Sequence, residues 1–396
     1  MYSKKFLAGT ALVAGTSIGA AALALPVISS GLGVMGTFFA FLLCWYVMYL
    51  AGLMVLEVSM ETGSEKSFIS MAEYTLGKSY KWPIVILYLT LLYSLLAAYF
   101  RGGADLIHGF FSLMNILNVP DIIESIPFIL VTFLVVYSGT NLVDRLNRIM
   151  VFGLVLSFIV LVISCLSVVD YKQNIAHFSG GFDLSLKLLP VIITAFGYQV
   201  VIPSIRHYLA DTPKILPKVI LCGSLIPFFL YFIWALLIYM SLPSSGEFGI
   251  DNLRLSMQPA IDLPLFLENI YHYSIITYSI NAFAFFALSS SVLGIAISLF
   301  DFLADKLVYS NLNIARYKVA ILTIMPPAVF AFLYPQGFML ALSFAGVFVA
   351  ILNGLLPVLM YYKLRKNLNR EIMLKDYLAM FIVSFVSILL LISALS

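Results

Sequence analysis

Nine stretches of this chain contain no Asp, Glu, Lys or Arg: residues 6–56, 82–100, 125–143, 149–169, 188–205, 219–246, 269–300, 319–362 and 377–396. A helix needs about 20 apolar residues to cross the hydrocarbon of a bilayer. Strand-like alternation is absent, which excludes a β-barrel. Only 10% of the residues are charged, against about 25% in soluble domains. The chain therefore reads as an all-α polytopic membrane protein. Two runs are long enough for two spans each, and turn residues divide both: Ser29-Ser30-Gly31-Leu32-Gly33 and Tyr334-Pro335-Gln336-Gly337. Eleven transmembrane helices follow, near 7–30, 34–56, 83–105, 123–140, 147–168, 188–209, 217–241, 275–303, 319–333, 338–361 and 377–395.

The Lys and Arg residues orient these helices, because cytoplasmic segments carry an excess of both. With the N-terminus in the cytoplasm, the inside segments hold eighteen and the outside loops three (Lys172, Lys187 and Arg254), leaving Arg101 near the outer end of a span. An odd number of spans puts the C-terminus outside. The formal charge of +3 is thus a topology signal and gives no reason to expect nucleic acid. Cys44, Cys165 and Cys222 fall within spans, without metal spacing, and read as small apolar fillers. The first apolar segment is too long for a signal-peptide core and is expected to remain in the mature protein. Residues 66–76 pattern as a short amphipathic helix on the cytoplasmic surface.

The first span is too rich in small and polar residues to be continuous. Between Val13 and Pro26 it carries Gly15, Thr16, Ser17 and Gly19. Within a bilayer, broken backbone is tolerated only inside protein or beside a water-filled cavity. The sixth span has a second such place, Phe196-Gly197-Tyr198-Gln199, followed by Pro203. Interrupted segments at corresponding positions of two halves point to a transporter's binding site. Spans 1–5 (residues 7–168) and 6–10 (residues 188–361) then form two five-helix repeats within a single domain, 1–396, with span 11 (377–395) added. A repeat with an odd number of spans must be inverted in its second copy.

Arg101 and Asp105 lie four apart on the third span. They read either as a local ion pair reaching the outer interface, or as an outer gate or a contact for a substrate carboxylate. Ser289, Ser290 and Ser291 lie at mid-depth in span 8, and Asn353 is a mid-membrane amide expected to make a packing hydrogen bond. The outside loop 242–274 is long enough for a lid. Catalysis in lipid would need clustered ionisable groups. His108, His177, His207 and His272 all fall in loops or at span ends, so the chain is not expected to be an enzyme.

The runs G-T-S-I-G-A-A-A-L-A-L-P (15–26), F-G-Y-Q-V-V-I-P-S-I (196–205) and S-S-V-L-G-I-A-I-S-L-F-D-F-L-A-D (290–305) resemble the bacterial hydroxy/aromatic amino acid permeases, most of all their tyrosine- and tryptophan-type members. The resemblance covers nearly the whole chain, including D-R-L-N-R at 144–148. It departs from the family pattern at Gly19-Ala20-Ala21-Ala22, where G-A-G-M is usual, and at Gln199, where many members have His. The family belongs to the amino acid–polyamine–organocation superfamily, with the LeuT-type 5+5 inverted repeat and discontinuous spans 1 and 6.

This resemblance implies a secondary active transporter in the bacterial cytoplasmic (inner) membrane. It would import tyrosine, phenylalanine or tryptophan by ion-coupled symport with alternating access; serine, threonine or another neutral amino acid is the alternative. Besides the substrate and the lipid bilayer, no obligatory protein partner is implied. The interruption at Gly15, Thr16 and Ser17 would bind the zwitterion: amides of Gly19, Ala20 and Ala21 facing its carboxylate, carbonyls of Val13, Ala14, Ala195 and Phe196 its ammonium. Phe196, Tyr198, Gln199, Tyr93, Ala97, Phe100 and Ile295 would line the side-chain pocket. The coupling ion would be H⁺ or Na⁺. A Na⁺ site would use carbonyls of Gly15, Ile18 and Ala287 with the hydroxyls of Ser290 and Ser291.

Overall fold

The computed structural model describes residues 2–19, 21–63, 67–113, 121–168, 188–209, 212–256, 259–271, 274–309, 315–334 and 337–395. Among these, every regular element is helical. In chain order the helices are α1 (Tyr2–Ser17), α2 (Ala21–Ser29), α3 (Gly33–Thr62), α4 (Phe68–Leu76), α5 (Lys81–Leu113), α6 (Asp121–Ser138), α7 (Thr140–Val168), α8 (Leu189–Thr194), α9 (Ile202–Tyr208), α10 (Leu216–Ser241), α11 (Ile250–Arg254), α12 (Pro259–Tyr271), α13 (Ser274–Tyr309), α14 (Arg316–Leu333), α15 (Gly337–Val349), α16 (Leu356–Asn367) and α17 (Leu374–Leu395).

Nine stretches of the described residues are long and apolar enough to cross a membrane: Ala24–Thr62, Lys78–His108, Arg145–Ser167, Leu189–Tyr208, Pro213–Ser241, Ile275–Ala304, Arg316–Leu333, Gly337–Asn367 and Leu374–Ala394. Ile123–Ser138 is a shorter apolar helix.

Several helices outrun the expected apolar segments, because their ends carry polar partners. At the end of α3, Glu57 pairs with Arg365 (2.7 Å) and Glu61 with Arg370 (2.7 Å), tying α3 to α16 and the turn after it. The expected surface helix is α4, whose first turn is capped by the Ser67 hydroxyl accepting from Ser70 N–H. The polar connection expected at 140–148 is instead the first turns of α7; Gly139, with φ of +116°, alone makes the turn from α6. The 242–274 segment is not a loose loop. It holds α11 and α12, which bury Ile250, Leu253, Leu263 and Leu267, and Arg254 lies across Gly31 in the turn between α2 and α3.

The core sits where the interrupted spans meet their neighbours. α10 packs along α1 and α3, α13 along α7 and α5, and α15 along α5 and α8. Close approach is made by glycines: a Cβ on Gly223 of α10 would lie 2.9 Å from Thr10 O of α1, and one on Gly346 of α15 would enter the backbone of Pro190 in α8. Large side chains such as Phe152, Ile163 and Phe381 remain exposed on the outer faces of α7 and α17, as lipid contact requires.

Candidate functional site

Both expected interruptions are present. α1 stops at Ser17 and α2 starts at Ala21; Ala20, expected to offer an amide here, lies outside the described residues. α8 stops at Thr194, and α9 starts at Ile202 after a tight run of i→i−3 bonds at Ala195, Phe196 and Gly197. Pro190 and Pro203 occupy the first turn of α8 and of α9, where a missing N–H costs nothing.

One side chain joins the two interruptions. The Tyr231 hydroxyl of α10 lies 2.6 Å from Ser17 O, to which it donates, and 3.3 Å from Ala195 O. One turn further on, Trp234 Nε1 donates to Ala22 O at 3.1 Å. The sequence reading missed both residues. The available signal was a Tyr and a Trp three apart in an apolar span, each with a donor that needs a partner when buried.

α1 runs about a turn further than the resemblance implied, and this moves the acceptors. Ala14 O accepts from Ile18 N–H (2.9 Å) and Val13 O from the Ser17 hydroxyl (3.3 Å), so both belong to the last turn of α1. The Thr16 hydroxyl donates back to Leu12 O (2.7 Å). The carbonyls that α1 and the second interruption turn toward each other are those of Ser17 and Ala195.

The span 6 side chains face inward differently from expectation. Gln199 is fully buried and its amide is engaged at both ends: Nε2 donates to Met48 O (2.9 Å), and Oε1 accepts from Tyr198 N–H (2.9 Å). It pins the interruption onto α3. The Tyr198 ring lies against Gly52, where a Cβ would be 2.6 Å from its hydroxyl. Phe196 meets Tyr231 edge-on (5.5 Å between ring centres) and Phe41 at 6.3 Å.

On α5 the expected face is rotated. Tyr93 donates to Leu322 O of α14 (2.8 Å), and with Ala97 it lines a cavity of about 480 Å³ against α14 and α15. Phe100 is buried in the core. The residue facing the first interruption is Tyr99, whose hydroxyl lies 3.5 Å from the Cβ position of Gly19. Residues 93, 97 and 100 share a helical stripe, and 99 lies about 100° away from it.

α13 brings three expected ion ligands together. Ser290 and Ser291 hydroxyls donate to Ala287 O at 3.1 and 2.8 Å, and the Gly19 Cβ position is 3.1 Å from Ser291 Oγ. Ile295 is half-buried one turn along the same face. Ile18 is half-buried, and Gly15 is exposed with open space around its Cβ position.

Arg101 and Asp105 are each 1% exposed, with Arg101 Nε 2.8 Å from Asp105 Oδ1. The local ion pair expected between them is present, and it is enclosed by protein. A second pair was not foreseen: His108 Nδ1 lies 2.6 Å from Glu124 Oε1 of α6, and Glu124 is 1% exposed. The signal was an acidic residue within the first turns of an apolar helix, which requires a partner.

The profile of the tryptophan/tyrosine permease family matches residues 2–394. A tryptophan-specific transport protein of Shigella flexneri is 30% identical over 92% of this chain and 88% of its own length. The tyrosine-specific transport system 1 of Haemophilus influenzae is 31% identical over 91% of this chain and 89% of its own. Glutamine transporter 2 of Aliivibrio fischeri is 29% identical over 92% and 91%. These relatives are transport proteins and not enzymes, and over this length the chain belongs to the tryptophan/tyrosine permease family.

Proposed function

We propose that this protein is a secondary active transporter importing tryptophan, tyrosine or phenylalanine across the bacterial cytoplasmic membrane. The observation that carries the reading is the meeting of two interrupted spans at Tyr231, in a chain of this family. A zwitterion needs donors and acceptors a few ångströms apart. The start of α2 offers backbone amides and the positive end of a helix dipole to the carboxylate. The carbonyls of Ser17 and Ala195, now sharing the Tyr231 hydroxyl, offer acceptors to the ammonium. Buried aromatic rings at Phe41, Phe196, Tyr99 and Phe100 suit an aromatic substrate by area and by edge-on ring packing.

Adding the interrupted pair α1–α2 and the shorter apolar helix α6 to the nine long apolar stretches among the described residues gives eleven crossings. The repeat reading is two inverted sets of five with α17 added, the N-terminus cytoplasmic and the C-terminus outside. Transport would be ion-coupled, with spans 1, 2, 6 and 7 rocking against the rest. The oxygens of Ala287, Ser290 and Ser291 are a neutral donor set that fits Na⁺, and a proton is the other candidate.

A second reading, a permease for another neutral amino acid, is favoured by the likeness to the glutamine transporter. Proteoliposome uptake of labelled tryptophan, tyrosine, phenylalanine, glutamine and serine, under imposed H⁺ or Na⁺ gradients, separates the two. Accumulation of the aromatic substrates with one gradient is expected. Uptake of glutamine alone would favour the second reading, and no uptake under either gradient would sink both.

A further inference from the structure

The span of α15 and α16 is distorted as well. A π-helical turn, Ala350–Leu355, separates the two helices. Its local cause is Pro357, which has no N–H to give the carbonyl of Asn353 four residues earlier, so the helix widens there. Widened turns of this kind occur frequently at functional sites.

Asn353 sits in that turn, 3% exposed. Its Nδ2 lies 3.1 Å from the Cβ position of Gly197, so the amide is pressed against the second interruption. No described residue donates to its Oδ1, which is buried. The expected packing hydrogen bond is therefore missing on the acceptor side. At the second interruption the neighbouring polar groups are already used: Tyr198 N–H by Gln199, both ends of the Gln199 amide, and Gly197 N–H by Thr194 O. Within Ala195–Gln199, Gly197 is the residue that keeps accessible surface, and it is the one Asn353 faces. An amide oxygen held in the protein interior without a donor is costly, and such a group is retained where a ligand supplies the donor.

We propose that Asn353 is a substrate ligand contributed by the tenth span, its Oδ1 accepting a hydrogen bond from an N–H or O–H of the amino acid held at the two interruptions. The donor is either the substrate ammonium or the ring group, an indole N–H or a phenol O–H. This rests on the aromatic transport reading. A site built to hydrogen-bond one such group discriminates strongly against analogues lacking it.

The test is uptake of tryptophan, tyrosine and phenylalanine into proteoliposomes by the wild type and by Asn353→Leu, with thermal unfolding of both in detergent. The leucine side chain keeps the volume and removes both hydrogen-bonding ends. The variant should be at least as stable as the wild type while its KM rises about tenfold or more. A rise for tryptophan and tyrosine but not phenylalanine assigns the ring donor; an equal rise for all three assigns the ammonium. Unchanged KM for all three substrates overturns the proposal while leaving the transport reading intact. Absence of aromatic uptake by the wild type overturns both. Should the leucine variant fail to insert, Asn353→Ala carries the same comparison.

Discussion

One hydroxyl reaches the backbone of both interrupted spans, so its loss should be felt in binding more than in folding. We expect Tyr231→Phe to insert normally and to lose about 1 kcal/mol of stability, the ordinary net worth of one buried hydrogen bond. Its KM for uptake should rise, because the Ser17 and Ala195 carbonyls are no longer held toward each other. Thermal unfolding and proteoliposome uptake read the two effects; an unchanged KM would remove the bridge from the site. Gly19 is the complementary case. Its Cβ position is 3.1 Å from Ser291 Oγ and 3.5 Å from the Tyr99 hydroxyl, so a branched side chain displaces α13 or α5. Gly19→Val should abolish transport while still inserting, and Gly19→Ala should be milder; normal uptake by the valine variant would refute the close approach. Glycine at this point was legible in the sequence, because a site on broken backbone needs small residues. Which aromatic of α5 faces it was not. Tyr93 and Tyr99 are equivalent by composition, and only packing against α14 and α15 fixes the rotation of α5.

The second interruption is an element held in place by its neighbour. Gln199 binds Tyr198 N–H and reaches across to Met48 O of α3, which substitutes side-chain bonds for the helical ones the break removes. Gln199→Leu strands that N–H in a buried position. The expected loss is about 1–3 kcal/mol, larger than for Tyr231→Phe. Thermal unfolding of the two variants side by side checks the order, and equal stabilities would mean that the break is held by packing alone. The interrupted helices themselves were readable from Gly, Ser, Thr and Pro. Their ends were not, because the Ser17 hydroxyl bonds Val13 O within the last turn of α1 and Ala14 O still takes the Ile18 N–H. Helices α11 and α12 were hidden for a different reason. Asp251, Asp262 and Glu268 depress the apolar character of the segment, although Leu263 and Leu267 keep helical spacing. The turn at Asn353 has its signal in Pro357, whose missing N–H frees the carbonyl four residues earlier.

Across the molecule, the first interruption meets α13 at Gly19 and Ser291, and the contact is not continued toward the N-terminus of α1. Gly19 abuts Ser291, yet along α1 toward its N-terminus Ala11, Gly15 and Thr16 are exposed together with Leu7 and Leu12, and along α13 beyond Ser291 so are Ser298 and Asp301. α1 instead packs along α10 and touches α9. Lipid-facing surfaces of this protein carry large apolar side chains, as α7 does with Phe152 and Ile163. Small and polar residues in these two stretches suit water, and with the proposed cytoplasmic N-terminus the stretches would lie toward the cytoplasm. The Glu57–Arg365 and Glu61–Arg370 pairs hold the end of α3 to α16 and the turn after it. With the proposed orientation, this would be a conformation in which substrate exchanges with the cytoplasm. We expect Thr16→Cys and Ser298→Cys, each made in a background with Cys44, Cys165 and Cys222 replaced by alanine, to react with a membrane-impermeant thiol reagent in inside-out vesicles. Both should be unreactive from the outside of intact cells. Excess substrate should slow labelling at Thr16→Cys, which borders the proposed amino acid site, more than at Ser298→Cys two turns below Ser291. Labelling from the outside alone would reverse the topology. Labelling from neither side would identify these exposed faces as lipid contacts and remove the cytoplasmic opening.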